Sequence, residues 1–263
     1  MIRKSAPVHT LTDPFDPARA RALQAALGEP PTIETGDPLP PFYHQIYFWE
    51  PHPPADLGRD GHPRTGGFIP SYDLPRRMWA AGRLVFHQPL RAGVRAQKTS
   101  VVDSAIRKQG RSGPLAFVTV RHDIRQRQSL CVTEWQELVY RPDGSTAGTP
   151  PQARTDETDR LTLRCDSTLL FRYSALTFNG HRIHYDERYA RDVEGYDGLV
   201  VHGPLLAHLL MALASDHLGT LSAFSYRATA PLMHHETADL CWNAGTAWVR
   251  GPDGRQCMLA EAR

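Results

Sequence analysis

Between Arg83 and Arg141 the chain alternates apolar and polar residues through four runs, RLVFHQPL, VRAQKTSVVDSAIRK, LAFVTVRHDIRQ and LCVTEWQELVYR, with Gly93, Gly110 and Gly113 as punctuation. Side chains of a strand point alternately to its two faces, so a period of two over runs this long commits the region to antiparallel sheet. A second pattern follows downstream. Leu205, Leu206, Leu209, Leu210 and Leu213 recur at near-helical spacing behind Pro204, which predicts a helix from Pro204 to about His217 with an apolar face to lie across a curved sheet. After Gly219, LSAFSYRATA, TADLCWNAGTAWVR and RQCMLAEAR read as three more strands. A helix wrapped by antiparallel strands is an α+β arrangement.

The remaining segments divide the chain. PFDPARARALQAALG, residues 14 to 28, reads as a short amphipathic helix that starts after Pro17 and ends at Gly28. The stretch from Pro30 to Pro54 holds too many prolines for regular helix, although its FYHQIYFW is aromatic enough to pack as a buried segment. A glycine-rich loop with Gly58, Gly61, Gly66 and Gly67 follows, and Leu74 to Ala81 reads as a helix opened by Pro75. Residues 142 to 160, PDGSTAGTPPQARTDETDR, carry turn formers and charges with little to bury. They mark a linker, which places a boundary near 150 and gives halves 1–150 and 151–263. In the second half a segment at Ser167 to Leu176 precedes a polar loop and short helix at 179 to 190.

Several function classes fall away on charge and composition. A formal charge of +2, with Lys and Arg dispersed, predicts no nucleic-acid partner. Cys131, Cys165, Cys241 and Cys257 lie far apart without a C-x-x-C, so reduced thiols are expected rather than disulfides or structural zinc. No apolar run approaches the length of a membrane span and the N-terminus has no signal-peptide core, so a soluble, cytoplasmic protein without a membrane partner is expected.

The chemistry concentrates in FNGHRIHYDERYA, residues 178 to 190, and VVHGPLLAHLL, residues 200 to 210. Asn179 and His184 stand five residues apart around a glycine, spacing that suits two side chains entering one small pocket. Gly203 and Pro204 open the apolar helix, where unpaired N–H groups and the helix dipole favour developing negative charge. A base beside an oxyanion site suits reactions at a thioester carbonyl and its neighbouring carbons. His181-x-x-His184 could instead suggest a metal pair, but no H-E-x-x-H or third ligand at a familiar spacing accompanies it, and no metal is expected.

These two stretches resemble the hydratase motif of MaoC-like acyl-CoA hydratases and dehydratases. His184, Asp186, Tyr189, Ala190, His202 and Gly203 match; Asn179 stands where the motif carries an acid, and His181-Arg182 replace Asn-Pro. Asn cannot take a proton, so the base role falls to His184 and Asn179 is left to hold the water or orient the substrate. PLPPFYHQIYFWEP, DGHPRTGG, LPRRMWAAGRL and KTSVVDSAIRKQGRSGPLAFVTVRHDI are similar to the longer, double-hotdog branch, which includes mitochondrial type 2 hydroxyacyl-thioester dehydratases and bacterial itaconyl-CoA and mesaconyl-CoA hydratases. The resemblance implies a double hotdog, two tandem halves each with an antiparallel sheet around a central helix.

It implies further a hydratase that adds water to an enoyl-CoA. His184 would take a proton from water and help return one to the α-carbon, with the N–H groups of Gly203 and Leu205 as the donors at the thioester oxygen. Coenzyme A enters as part of the substrate and no cofactor is expected. His62, Arg64, Arg76 and Arg77 fall where the family's acyl pocket lies, and an arginine there would bind the carboxylate of a short branched dicarboxylic chain such as itaconyl or mesaconyl. The other reading of Arg76 and Arg77 is that they anchor a loop or the CoA phosphates from a helix surface. His202 would line the pocket or cap the helix, and Asp186 reads as a cap. Alternatives are a dehydratase of plain 3-hydroxyacyl chains on CoA or acyl carrier protein, a hotdog thioesterase, and an acyl-CoA binding module without turnover. A homodimer is expected.

Overall fold

The computed structural model describes residues 7–110, 113–144 and 148–263; residues 145–147 of the expected linker lie outside it. Ten strands form one antiparallel sheet: β1 (Val8–Asp13), β2 (Arg76–Phe86), β3 (Ala96–Gly110), β4 (Gly113–Gln126), β5 (Ser129–Arg141), β6 (Asp159–Arg164), β7 (Ala223–Ala228), β8 (Thr237–Asn243), β9 (Thr246–Arg250) and β10 (Gln256–Ala262). Across the sheet they run β1-β3-β4-β5-β2-β7-β10-β9-β8-β6. The first five strands and the last five share one internal order, reversed about the β2–β7 seam. Each set begins with an edge strand followed by a helix, α1 (Pro17–Leu27) after β1 and α2 (Ser167–Thr177) after β6.

Caps fix the helix ends. Asp16 accepts from the N–H of Ala18 and Asp166 from that of Leu169, each relieving an unpaired amide of its first turn. Gly28 closes α1 at φ 83°, left-handed backbone that a Cβ would strain. The long helix α4 (Gly203–Leu218) buries Leu205, Leu206, Leu210 and Leu213 against β2 and β7 to β10. In the first half the corresponding core is filled by the proline-rich segment. It makes a single 3-10 turn, Tyr43–Ile46, and Phe42, Tyr43, Ile46, Tyr47 and Phe48 pack with Leu84, Ile124 and Val132. No helix among the described residues is long and apolar enough to cross a membrane.

One expected helix is a strand. Of residues 74–81, Arg76 to Ala81 open β2, which pairs with β5 on one side and β7 on the other and so forms the seam of the molecule. Met, Ala and Arg favour helix only mildly, and two sheet neighbours override that preference. The small residues have a packing reason: a Cβ on Gly82 would sit 2.0 Å from the Tyr226 hydroxyl, whose ring stacks on Trp79 at 4.5 Å. Two further differences concern the second half and the N-terminus. TADLCWNAGTAWVR is a hairpin of two strands, turned at Ala244 and Gly245 with φ 47° and 88°, and VHTLTD forms β1, which the periodicity did not single out.

Candidate active site

A cavity of about 400 Å³ opens where the seam, the start of α4 and the 179–184 loop meet, and His184, Asn179, His181, His62, Arg77 and Gly203 lie on its wall. Each is placed by a separate local device. The Asn179 side-chain oxygen accepts from the N–H of His181 at 3.0 Å, closing a tight turn that leads into a 3-10 turn, Arg182–His184. Val200 holds the end of that turn twice. Its N–H donates to the Ile183 carbonyl at 2.9 Å, and its own carbonyl accepts from His184 Nδ1 at 2.7 Å. A carbonyl only accepts, so Nδ1 carries the proton and Nε2 keeps its lone pair.

His202 backs this ring. The two imidazoles stack at 3.7 Å with 19° between their planes, and the Ser174 hydroxyl meets His202 Nε2 at 2.8 Å. His202 is also the residue before α4, so the stack sets His184 directly beside the helix start. There the N–H groups of Gly203 and Leu205 have no carbonyl partner among the described residues, and Pro204 has no N–H to offer. Gly203 leaves no room for a side chain, because a Cβ there would approach Trp79 Cε3 to 2.9 Å. Burial pushes the His184 pKa down to about 4, outweighing the Val200 hydrogen bond that raises it, with the charge of His62 lowering it further. The ring is therefore neutral near pH 7 and its free nitrogen is a proton acceptor.

The loop at 58–62 meets this group from the first half of the chain. A Cβ on Gly61 would lie 2.0 Å from the Gly180 carbonyl oxygen, and one on Gly180 would lie 2.7 Å from the Gly61 carbonyl oxygen. Only glycine at both positions allows that approach. The Arg182 N–H donates to the Asp60 carbonyl at 2.9 Å and completes the clamp. It carries His62 to 4.5 Å from the His181 ring, which is itself 5.3 Å from His184. Asp60 accepts from the His62 backbone N–H and from ring Nδ1, each at 3.1 Å.

The two neighbouring arginines of β2 have different surroundings. Arg76 is buried, pairs with Glu194 at 2.7 Å and donates to the Glu194 carbonyl at 3.0 Å. Arg77 lines the cavity and, among the described residues, has neither an ion-pair nor a hydrogen-bond partner. Its charge helps hold the Asp60 carboxyl down and lowers both His62 and His181. Asp60, His62 and His181 offer donor atoms within 4.8 Å of one another, a set that could hold a divalent cation. The Asp60–His62 hydrogen bond and the nearby Arg77 charge both oppose one there.

Not every residue singled out in the sequence reaches the cavity. Arg64 is exposed, its Nε on the Leu57 carbonyl at 3.1 Å; Arg76 is committed to Glu194; and His202, with no exposure, supports His184 from behind. Asp186 caps the short helix α3 (Glu187–Asp192) through the Tyr189 N–H at 3.0 Å, and Tyr189 and Ala190 are buried packing residues. The wall also includes Arg141 and Tyr196, which the sequence did not single out. Arg141 pairs in register with Arg76 across β2 and β5, and its buried Nε has no partner among the described residues. Cross-strand register, set by the fold, is the only signal that could have found it.

Three comparisons bear on this geometry. The family model for hydroxyacyl-thioester dehydratase type 2 matches residues 42–234. The mesaconyl-C(4)-CoA hydratase of Chloroflexus aurantiacus is 50% identical over 252 residues, covering 92% of this chain and 90% of that protein. A solved MaoC-like dehydratase superposes with a TM-score of 0.72 at 14% identity, covering 99% of this chain and 98% of the other. A Mycobacterium tuberculosis protein described as having a double hotdog fold superposes with a TM-score of 0.61 at 13% identity, covering 98% of this chain and 95% of that one. The fold is a double hotdog.

Proposed function

The chain belongs to the hydroxyacyl-thioester dehydratase type 2 family and is a hydro-lyase, and from that premise we propose that it hydrates a short branched enoyl-CoA bearing a free carboxylate, of the mesaconyl-C4 or itaconyl kind, to a citramalyl-type hydroxyacyl-CoA. The observation that carries the carboxylate is Arg77: a guanidinium on the cavity wall with no acidic partner, in the same cavity as His184 and the start of α4. Arg77 is half-buried, with its donors free among the described residues to meet a ligand, and a carboxylate fills a guanidinium in a two-pronged geometry. The 50% identical hydratase supports the same substrate class.

In this reading the thioester oxygen sits at the N–H groups of Gly203 and Leu205, where enolate charge would be stabilised by about 3 kcal/mol per donor. His184 Nε2 takes a proton from water as its oxygen bonds to the β-carbon. The Asn179 carbonyl oxygen is engaged with His181, which leaves the amide nitrogen as its donor toward the water. His202 and Ser174 hold the His184 ring, and coenzyme A enters with the substrate. Spectrophotometric assay of mesaconyl-C4-, itaconyl- and crotonyl-CoA, without added cofactor, tests the proposal: turnover of a carboxylated thioester should exceed that of crotonyl-CoA, and preference for the plain chain would refute it.

A further inference from the structure

We propose that His62, held by Asp60, is the second proton-transfer residue of the site and supplies the proton that ends on the α-carbon. The inference rests on the hydration reading above and divides between two imidazoles what the sequence had given to His184 alone.

Hydration moves two protons, one off the water and one onto carbon, and the wall of this cavity offers few groups that can do both. Asn179 does not titrate in this range, and its oxygen is spent on the His181 N–H. His184 has Nδ1 committed to a carbonyl and is kept neutral by burial, which suits the acceptor role and no other. His181 is driven far below the ordinary histidine range, by burial first and then by His62, His184, Arg77 and Arg76. It has no carboxylate to hold a proton on it. Among the described residues His62 alone of the cavity imidazoles has one, with Asp60 Oδ2 on Nδ1. That contact fixes the tautomer with the Nε2 position as the exchangeable one, and it stabilises the imidazolium.

Charges around His62 add a substrate dependence. Burial and the Arg77 guanidinium lower its proton affinity, whereas Asp60 raises it, and His181 is the remaining imidazole against it. A substrate carboxylate on Arg77 would cancel one of the two lowering influences, so His62 would gain its proton as the substrate arrives. The placement is built into the backbone, since the Gly61–Gly180 approach sets this loop against the one carrying His184, with His181 between their rings at 4.5 and 5.3 Å. In the forward step a C–O bond forms at the β-carbon as the water proton passes to His184. The π electrons move toward the thioester oxygen, and the His62 proton closes the C–H bond at the α-carbon. Proton return from His184 to His62 resets the site.

His62→Ala should lower kcat at least about a hundredfold with KM changed less than about threefold, and imidazole in solution should restore at least about tenfold. Asp60 is a positioning residue. In Asp60→Asn the basic limb of the pH profile should move to lower pH, because the imidazolium loses its counter-charge. A His62→Ala protein with normal kcat and raised KM, or with a loss that imidazole leaves untouched, overturns the proposal. So does a basic limb unmoved in Asp60→Asn, a result that remains readable if His62→Ala does not fold. The assays use whichever enoyl-CoA the wild-type protein hydrates, so failure of the carboxylate preference leaves the His62 result standing; absence of turnover on every enoyl-CoA sinks both.

Discussion

At position 184 an imidazole gives one nitrogen to a backbone carbonyl at 2.7 Å and keeps the other for a proton. His202 stacked behind it, itself tied to Ser174, converts a loop side chain into a fixed one. His184→Ala should therefore lower kcat by about a hundredfold or more while the fold is retained; steady-state rates with circular dichroism check it, and full activity would remove this residue as the base. The same neighbourhood shows why adjacent residues diverge. Arg76 is locked in a buried ion pair at 2.7 Å, while Arg77 has no such partner among the described residues. Nothing in the letters Arg-Arg distinguishes a structural guanidinium from one available to a ligand.

Individual elements differ in how much of them the sequence discloses. The leucine spacing after Pro204 was enough for α4, and alternation was enough for β3 to β5, because each pattern follows the face turned to the interior. Strand β2 shows no such alternation, with Met78, Trp79 and Ala80 all half-buried and Ala81 and Gly82 both buried, so RRMWAA read as helix. The motif at 178–190 disclosed His184 through a family likeness, yet it could not disclose Asp60, Arg141 or Tyr196. Those belong to other segments, and only the fold sets them against it. The Gly61–Gly180 contact is the device that joins the segments. Gly61→Ala places a Cβ 2.0 Å from a carbonyl oxygen at a residue with φ 86°. We expect a loss of about 1–3 kcal/mol in denaturant unfolding, with kcat reduced because His62 is pushed from His181. An unchanged midpoint and rate would show that the loops do not depend on one another.

Over the whole molecule, two half-sheets joined at β2 and β7 hold a set of buried neutral histidines. Burial lowers His122, His184 and His208 to about 4, and lowers His202 as well. Between about pH 6.5 and 4 the unfolded chain then binds more protons than the folded one, and stability falls with falling pH by about 1.4 kcal/mol per pH unit for each such group. Glu134 adds to the acid sensitivity at lower pH. Burial alone would raise its carboxyl, but hydrogen bonds and charge from His44 and the contacts of Gln136 bring it to about 2. Chemical denaturation at pH 7.5 and 5 should show a steep loss at the lower pH, and equal stability would mean that these rings are already protonated or exposed. The double hotdog also brings Arg77 from one half and His184 from the other to a single cavity, and the substrate claim depends on that union. The decisive measurement is kcat/KM for wild type and Arg77→Met on mesaconyl-C4-CoA and crotonyl-CoA. The substitution should cost about 1.5–3 kcal/mol, or roughly 10- to 150-fold, on the carboxylated thioester alone; an equal loss on both, or none on either, would contradict it.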